Sequence, residues 1–169
     1  MKTNDCLRRI RYILDLGDKD IIGLFALAEH SVVRSEVVAW LKKDDDTDYV
    51  ECSDVMFATF LNGLISHKRG PRDGPLPEPE QRMNNNMVFR KLKIAFDLQA
   101  EEILQILARA DFNISKHELS AFFRRPGHKH YRDCKDQILR NFLMGLQLKH
   151  RGGSLQSAED SLQSAEDTP

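Results

Sequence analysis

Three groups of side chains in this chain have types and spacing that could do chemistry. The first is His128 and His130 with Cys134 beyond them, two imidazoles and a thiol on one short segment. Imidazole and thiolate are zinc ligands, but a closed zinc site takes about four of them. The second group is basic: Arg90, Lys91 and Lys93, then Arg124, Arg125, Lys129 and Arg132. Cations converging on one face bind phosphate backbones, with an affinity that falls steeply as salt rises. These seven residues are the candidate polyanion-binding set, with DNA or RNA as the ligand, against the plainer reading of a solvated helix face. The third group is the carboxylates Asp15 and Asp97, placed where a helix ends and where negative charge opposes the helix dipole. They could be functional, or pair with Arg11 and Lys93 one turn back. No base–nucleophile pair accompanies them, so no catalytic residue is assigned and the chain reads as non-enzymatic. No cofactor is expected.

The elements that must position these groups occur twice. Sliding the chain by 82 positions lays residues 1–70 on residues 83–152 without a gap. Asn4 meets Asn86, Asp15-Leu16 meets Asp97-Leu98, and Tyr49, Cys52 and Asp54 meet Tyr131, Cys134 and Asp136. Phe60, Leu61, Gly63 and Leu64 meet Phe142, Leu143, Gly145 and Leu146. One duplicated folding unit explains such a register. It also weakens the metal reading, because copy one keeps Cys52 but has Asp46 and Asp48 at the two histidine positions. The basic slots are shared, since Arg8, Arg9 and Arg11 stand where Arg90, Lys91 and Lys93 do.

Apolar residues recur at the helical period and predict about four helices per copy. The first carries Leu7, Ile10, Ile13 and Leu14; the second Ile21, Leu24, Phe25 and Ala28. The third carries Val37, Trp40 and Leu41; the fourth Phe57, Phe60, Leu61 and Leu64. Ser115 followed by Glu118 is a capping box, Asp54 and Asp136 suit the start of helix four, and Gly70 and Gly152 suit its end. Gly63 and Gly145 fall inside that helix, at a cost of about 1 kcal/mol each against alanine, which points to close helix approach. No segment alternates with period two, so no sheet is expected. The expected fold is all-α: two roughly four-helix copies in tandem, related by a pseudo-twofold.

Domain boundaries follow from composition. Copy one spans 1–70, a linker with four prolines spans 71–82, copy two spans 83–152, and an acidic tail spans 153–169. The prolines exclude helix and favour an extended, semi-rigid spacer. In the tail, residues 154–160 repeat letter for letter at 161–167 with only Leu and Ala as apolar residues. So little apolar surface predicts a disordered appendage. Charge is uneven: copy one is −2, the linker −1, copy two +6 and the tail −4. The asymmetry suits an anionic partner for copy two, or attraction between the copies. With 41% hydrophobic residues the chain can bury a core, and no apolar run approaches a membrane span. The start, Met1-Lys2-Thr3-Asn4-Asp5, lacks the apolar stretch of a signal peptide, so a cytoplasmic location and no membrane partner are expected. Three cysteines without paired spacing argue against a disulfide framework.

Several of these stretches resemble a known family. They are Arg8-Arg9-Ile10-Arg11-Tyr12-Ile13-Leu14, Asn84-Asn85-Asn86 leading into Arg90-Lys91-Leu92-Lys93-Ile94-Ala95-Phe96, Phe60-Leu61-Asn62-Gly63-Leu64-Ile65, and His128-Lys129-His130-Tyr131-Arg132-Asp133-Cys134. The chain is similar over residues 1–152 to the YehS-like family of small bacterial proteins, built from a tandem domain of unknown function. The resemblance implies a duplicated helical fold and carries over no catalytic residue.

Helices two and three of copy two could form a helix-turn-helix, with Ile103–Ala110, a turn at Asp111-Phe112-Asn113, and Ser115–Arg124. That motif favours a small residue in a short turn, which is missing here, so an ordinary helical hairpin is the competing reading. The functional expectation is a binding or regulatory module that engages nucleic acid through copy two. The alternative is a protein-interaction or self-associating scaffold.

Overall fold

Each helix starts and stops where local chemistry dictates. The computed structural model describes residues 1–153 and 155–167, and among these every regular element is a helix. Copy one supplies α1 (Thr3–Ile13), α2 (Asp18–Leu27), α3 (Arg34–Leu41) and α4 (Asp54–Arg69). Copy two supplies α5 (Asn85–Ala95), α6 (Ala100–Arg109), α7 (Lys116–Ala121) and α8 (Asp136–Arg151); α9 (Leu155–Asp167) follows. Apart from the earlier end of α7, the helices of copy two repeat those of copy one at the 82-residue offset.

The caps repeat as well. A carboxylate three residues into the helix takes the backbone N–H of the residue that precedes it, as Asp20 does for Gly17, Glu36 for Val33 and Glu102 for Gln99. Ser115 Oγ accepts from Glu118 N at 3.1 Å, the serine half of the expected capping box, while the Glu118 carboxylate accepts from the Ser115 hydroxyl instead of its backbone N–H. Ser53 caps α4 through Met56 N, and Asp54 sits in its first turn. Gly70 and Gly152 end α4 and α8 with φ of 86° and 74°.

Asp15 and Asp97 prove to be helix stops. Their φ values are 53° and 52°, and the following leucines close the turn through Leu16 N to Arg11 O and Leu98 N to Lys93 O. Aspartate tolerates this left-handed position better than most residues, which accounts for its recurrence. Glu29 and Asp111 do the same after α2 and α6, with φ of 56° and 55°.

By packing, the chain divides into two units, Met1–Leu98 and the remainder from Gln99 onward. In the first, α2 lies on α3 and α4, α1 packs on α3 and α4, and α5 covers another face of α4. Phe25 is fully buried, with its ring 5.5 Å from Trp40 and 5.9 Å from Phe60. Asn4 binds this core to the loop after α3: Nδ2 donates to Trp40 O and Val50 O, and Oδ1 accepts from Cys52 N. In the second unit, α6 lies on α7 and α8.

The buried glycines set the helix crossings. A Cβ on Gly63 would lie 1.9 Å from Leu24 O, and one on Gly145 would lie 2.0 Å from Ile106 O. Only glycine lets α4 meet α2, and α8 meet α6, so closely.

The tail departs from the sequence expectation. Residues 155–167 form α9 instead of a disordered appendage, and α9 lies on α8. Ala158 is buried against Met144 and Leu148, with Leu162 and Ala110 packed at the edge. Ala158 and Leu162 lie four residues apart across the junction of the two heptads, so they present one apolar patch to α8. The linker contains no helix, and its Leu76 and Pro77 line a cavity with Asn62 and Ser66 of α4.

Candidate functional site

The seven predicted basic residues fall into two places, one in each packing unit. Arg124, Arg125, Lys129 and Arg132 belong to the loop between α7 and α8, and all four are exposed. The loop is shaped by Arg132 N bonding Ala121 O and Tyr131 N bonding His128 O. Copy one builds its loop the same way, with Val50 N on Ala39 O and Tyr49 N on Asp46 O.

On this shared scaffold the charge is inverted. Residues 124–133 carry +3, whereas the matching residues 42–51 carry −3. Lys129 and Arg132 line an open groove of about 410 Å³ together with His117, Glu118 and His130. Arg124 and Arg125 stand at the start of the loop. Neighbouring cations are committed elsewhere: Lys116 pairs with Glu101 at 2.6 Å, and Arg140 lies 3.9 Å from Asp136.

The histidines and the cysteine part company. His128 and His130 are exposed with ring centroids 5.6 Å apart, and His117 lies 6.2 Å from His130. His128 Nδ1 accepts the backbone N–H of His130. Cys134 is buried, with its thiol directed at Lys135 O. Among the described residues no group of three or more His, Cys, Asp or Glu side chains is placed to hold a metal ion. Burial pushes the Cys134 thiol up to about 12, with Asp136 adding to the effect. Burial does the same for Cys52, again up to about 12, helped by Asp54 and Glu51. Protonated buried thiols of this kind are neither nucleophiles nor ready ligands.

Arg90, Lys91 and Lys93 lie on α5 in the first unit, and the expectation that Lys91 is an exposed cation fails. Its Nζ is drawn inward to Asn62 Oδ1 at 2.6 Å and to Glu80 at 3.0 Å, leaving the side chain 14% exposed. The reason is local: α5 covers α4 here, and the linker brings Glu80 to the same spot. Lys93 is half-buried, while Arg90 is exposed and lines a cleft of about 590 Å³ between α4, the linker and α5. Arg69 and Arg72 line the same cleft, and Arg69 also pairs with Asp97 at 2.7 Å. The sequence reading missed Arg69, Arg72, Asn62 and Ser66. A signal was present, because Asn62 and Ser66 occupy slots that are Met144 and Leu148 in copy two.

A helix-turn-helix does not form. Six residues separate α6 from α7, and α7 is only six residues long. The motif takes a shorter turn and a recognition helix that can reach along a groove.

Comparison with known proteins fits this architecture. The family described as "Protein of unknown function (DUF1456)" matches residues 3–70 and again residues 85–152. The chain is 44% identical over 147 residues to "Uncharacterized protein YehS" of Escherichia coli (strain K12), covering 86% of this chain and 94% of that protein. No solved structure matches.

Proposed function

On the premise that the chain belongs to the DUF1456 family, we propose that it is a non-enzymatic binding module that engages DNA or RNA backbones through the α7–α8 loop of its second copy. One observation carries this reading. Arg124, Arg125 and Lys129 are exposed and make no ion pair among the described residues, on a loop whose twin in copy one bears the opposite charge. The fold needs no charge of either sign there, so the positive charge is an addition to the scaffold. Such a loop attracts polyanions by long-range Coulomb force and reads little sequence. Without a recognition helix, preference among sequences is expected to be weak.

The test is fluorescence anisotropy with labelled duplex DNA and single-stranded RNA. Binding is expected at low salt, weakening steeply toward physiological salt. Arg124→Glu with Arg125→Glu should abolish it without moving the melting temperature. No binding of either nucleic acid at low ionic strength rejects the reading. A second reading, an interaction scaffold, is favoured by the acidic loop, where Asp45 and Asp48 are exposed. It predicts salt-sensitive self-association in place of nucleic-acid binding.

A further inference from the structure

The cleft between α4, the linker and α5 has features that neither the fold nor the basic loop of copy two requires. Asn62 is 7% exposed, and its Oδ1 is taken by Lys91. The ammonium fixes which way round the amide sits, since only the oxygen can accept from it. The Nδ2 group therefore points its donors elsewhere, and it meets no acceptor among the described residues. One turn on, the Ser66 hydroxyl also has no hydrogen-bond partner there. Neither group is sealed from solvent, so both stand as unused donors at the cleft, where a ligand can take the place of water.

Copy two shows that the scaffold does not demand these polar groups. The matching residues are Met144 and Leu148, which α9 covers with Ala158 and Leu162. Copy one instead keeps two donors and leaves the cleft open, at about 590 Å³, within the range of small-molecule sites. Part of its wall is apolar, with Ile65, Leu76, Met87 and the 44%-exposed Ile94. Arg72 and Arg90 add positive charge at the cleft.

We propose that this cleft binds a small organic oxyanion, a carboxylate or phosphate on an apolar body. The head group takes the Asn62 amide, the Ser66 hydroxyl and the Lys91 ammonium. The body lies along Ile65, Met87 and Ile94. Glu80 is the internal competitor for Lys91, so an incoming anion partly replaces it. The site is separate from the α7–α8 loop and does not depend on the nucleic-acid reading.

Isothermal titration of the full chain with hexanoate, hexyl phosphate, hexanol and inorganic phosphate tests this. One or both hexyl anions should bind, about ten-fold or more tighter than hexanol or inorganic phosphate, because head and body both contribute. Which anion wins identifies the head group. Asn62→Met with Ser66→Leu installs the residues that copy two tolerates and should remove binding while the fold stands. If that variant melts early, Arg72→Glu at the exposed rim should weaken the anions and spare hexanol. Glu80→Gln should tighten anion binding, and Arg124→Glu/Arg125→Glu should leave it unchanged. Three results would overturn the proposal: no hexyl anion binding at millimolar concentration, hexanol binding as well as the anions, or inorganic phosphate binding as well as they do. Weaker binding in the Glu80→Gln variant would overturn the placement of the head group on Lys91.

Discussion

Asn4 shows how much one side chain settles. Its amide satisfies the carbonyls of Trp40 and Val50 and the N–H of Cys52, all at one buried point. Asn4→Leu leaves those backbone groups unpaired, and a loss of about 2–4 kcal/mol is expected by urea denaturation. Buried thiols give a second expectation. Cys6, Cys52 and Cys134 are all buried and in no disulfide, so none should react with a thiol reagent until the chain unfolds. The folded-state value of Cys52 and Cys134 is raised from 9.0 to about 12, so the folded chain holds those protons more tightly than the unfolded one. Their contribution is fully present below about pH 9 and is lost as pH rises toward 12. Melting temperature should therefore fall across that window, and serine at both positions should flatten the fall. The match of Cys52 to Cys134 was legible in the sequence. The left-handed backbone at Asp15 and Asp97 was not, because residue type alone does not separate a charge at a helix end from a helix stop.

At the scale of elements, the helix crossings were readable and the tail was not. Glycine inside an otherwise apolar helix has few uses besides close approach, and both Gly63 and Gly145 turn out to face a carbonyl of the crossing helix. Alanine at either should cost more than about 2 kcal/mol, since the obstacle is backbone and cannot rotate away. Calorimetry of the two single variants checks this; unchanged melting would mean that the crossing is loose. The tail misled because apolar content was counted within each heptad. Ala158 and Leu162 straddle the junction, and it was Met144 and Leu148 of α8 that supplied the complementary surface. Ending the chain after Gly153 should thus cost about 1–2 kcal/mol, the value of uncovering that small patch. Ala158→Asp should reproduce most of the loss. A truncated chain that melts like the full one would show that α9 adds nothing.

Across the whole molecule, duplication gave one scaffold two chemistries. The helices repeat at a constant offset, while the loop after the third helix is acidic in one copy and basic in the other. The face of the fourth helix diverged as well, polar with Asn62 and Ser66 in one copy and apolar with Met144 and Leu148 in the other. Architecture was therefore legible from matched residues, and the candidate sites lie where the copies disagree. The sequence grouped Arg90, Lys91 and Lys93 with the loop cations because spacing and charge alone cannot show that Lys91 turns inward to Asn62 and Glu80. Backbone amide NMR, following a short duplex DNA titrated into the full chain at low salt, tests the central claim most directly. The account predicts fast-exchange shifts centred on residues 124–132, reversed by added salt, with residues 42–51 unmoved. Shifts centred on the acidic loop, or none at all, would contradict it.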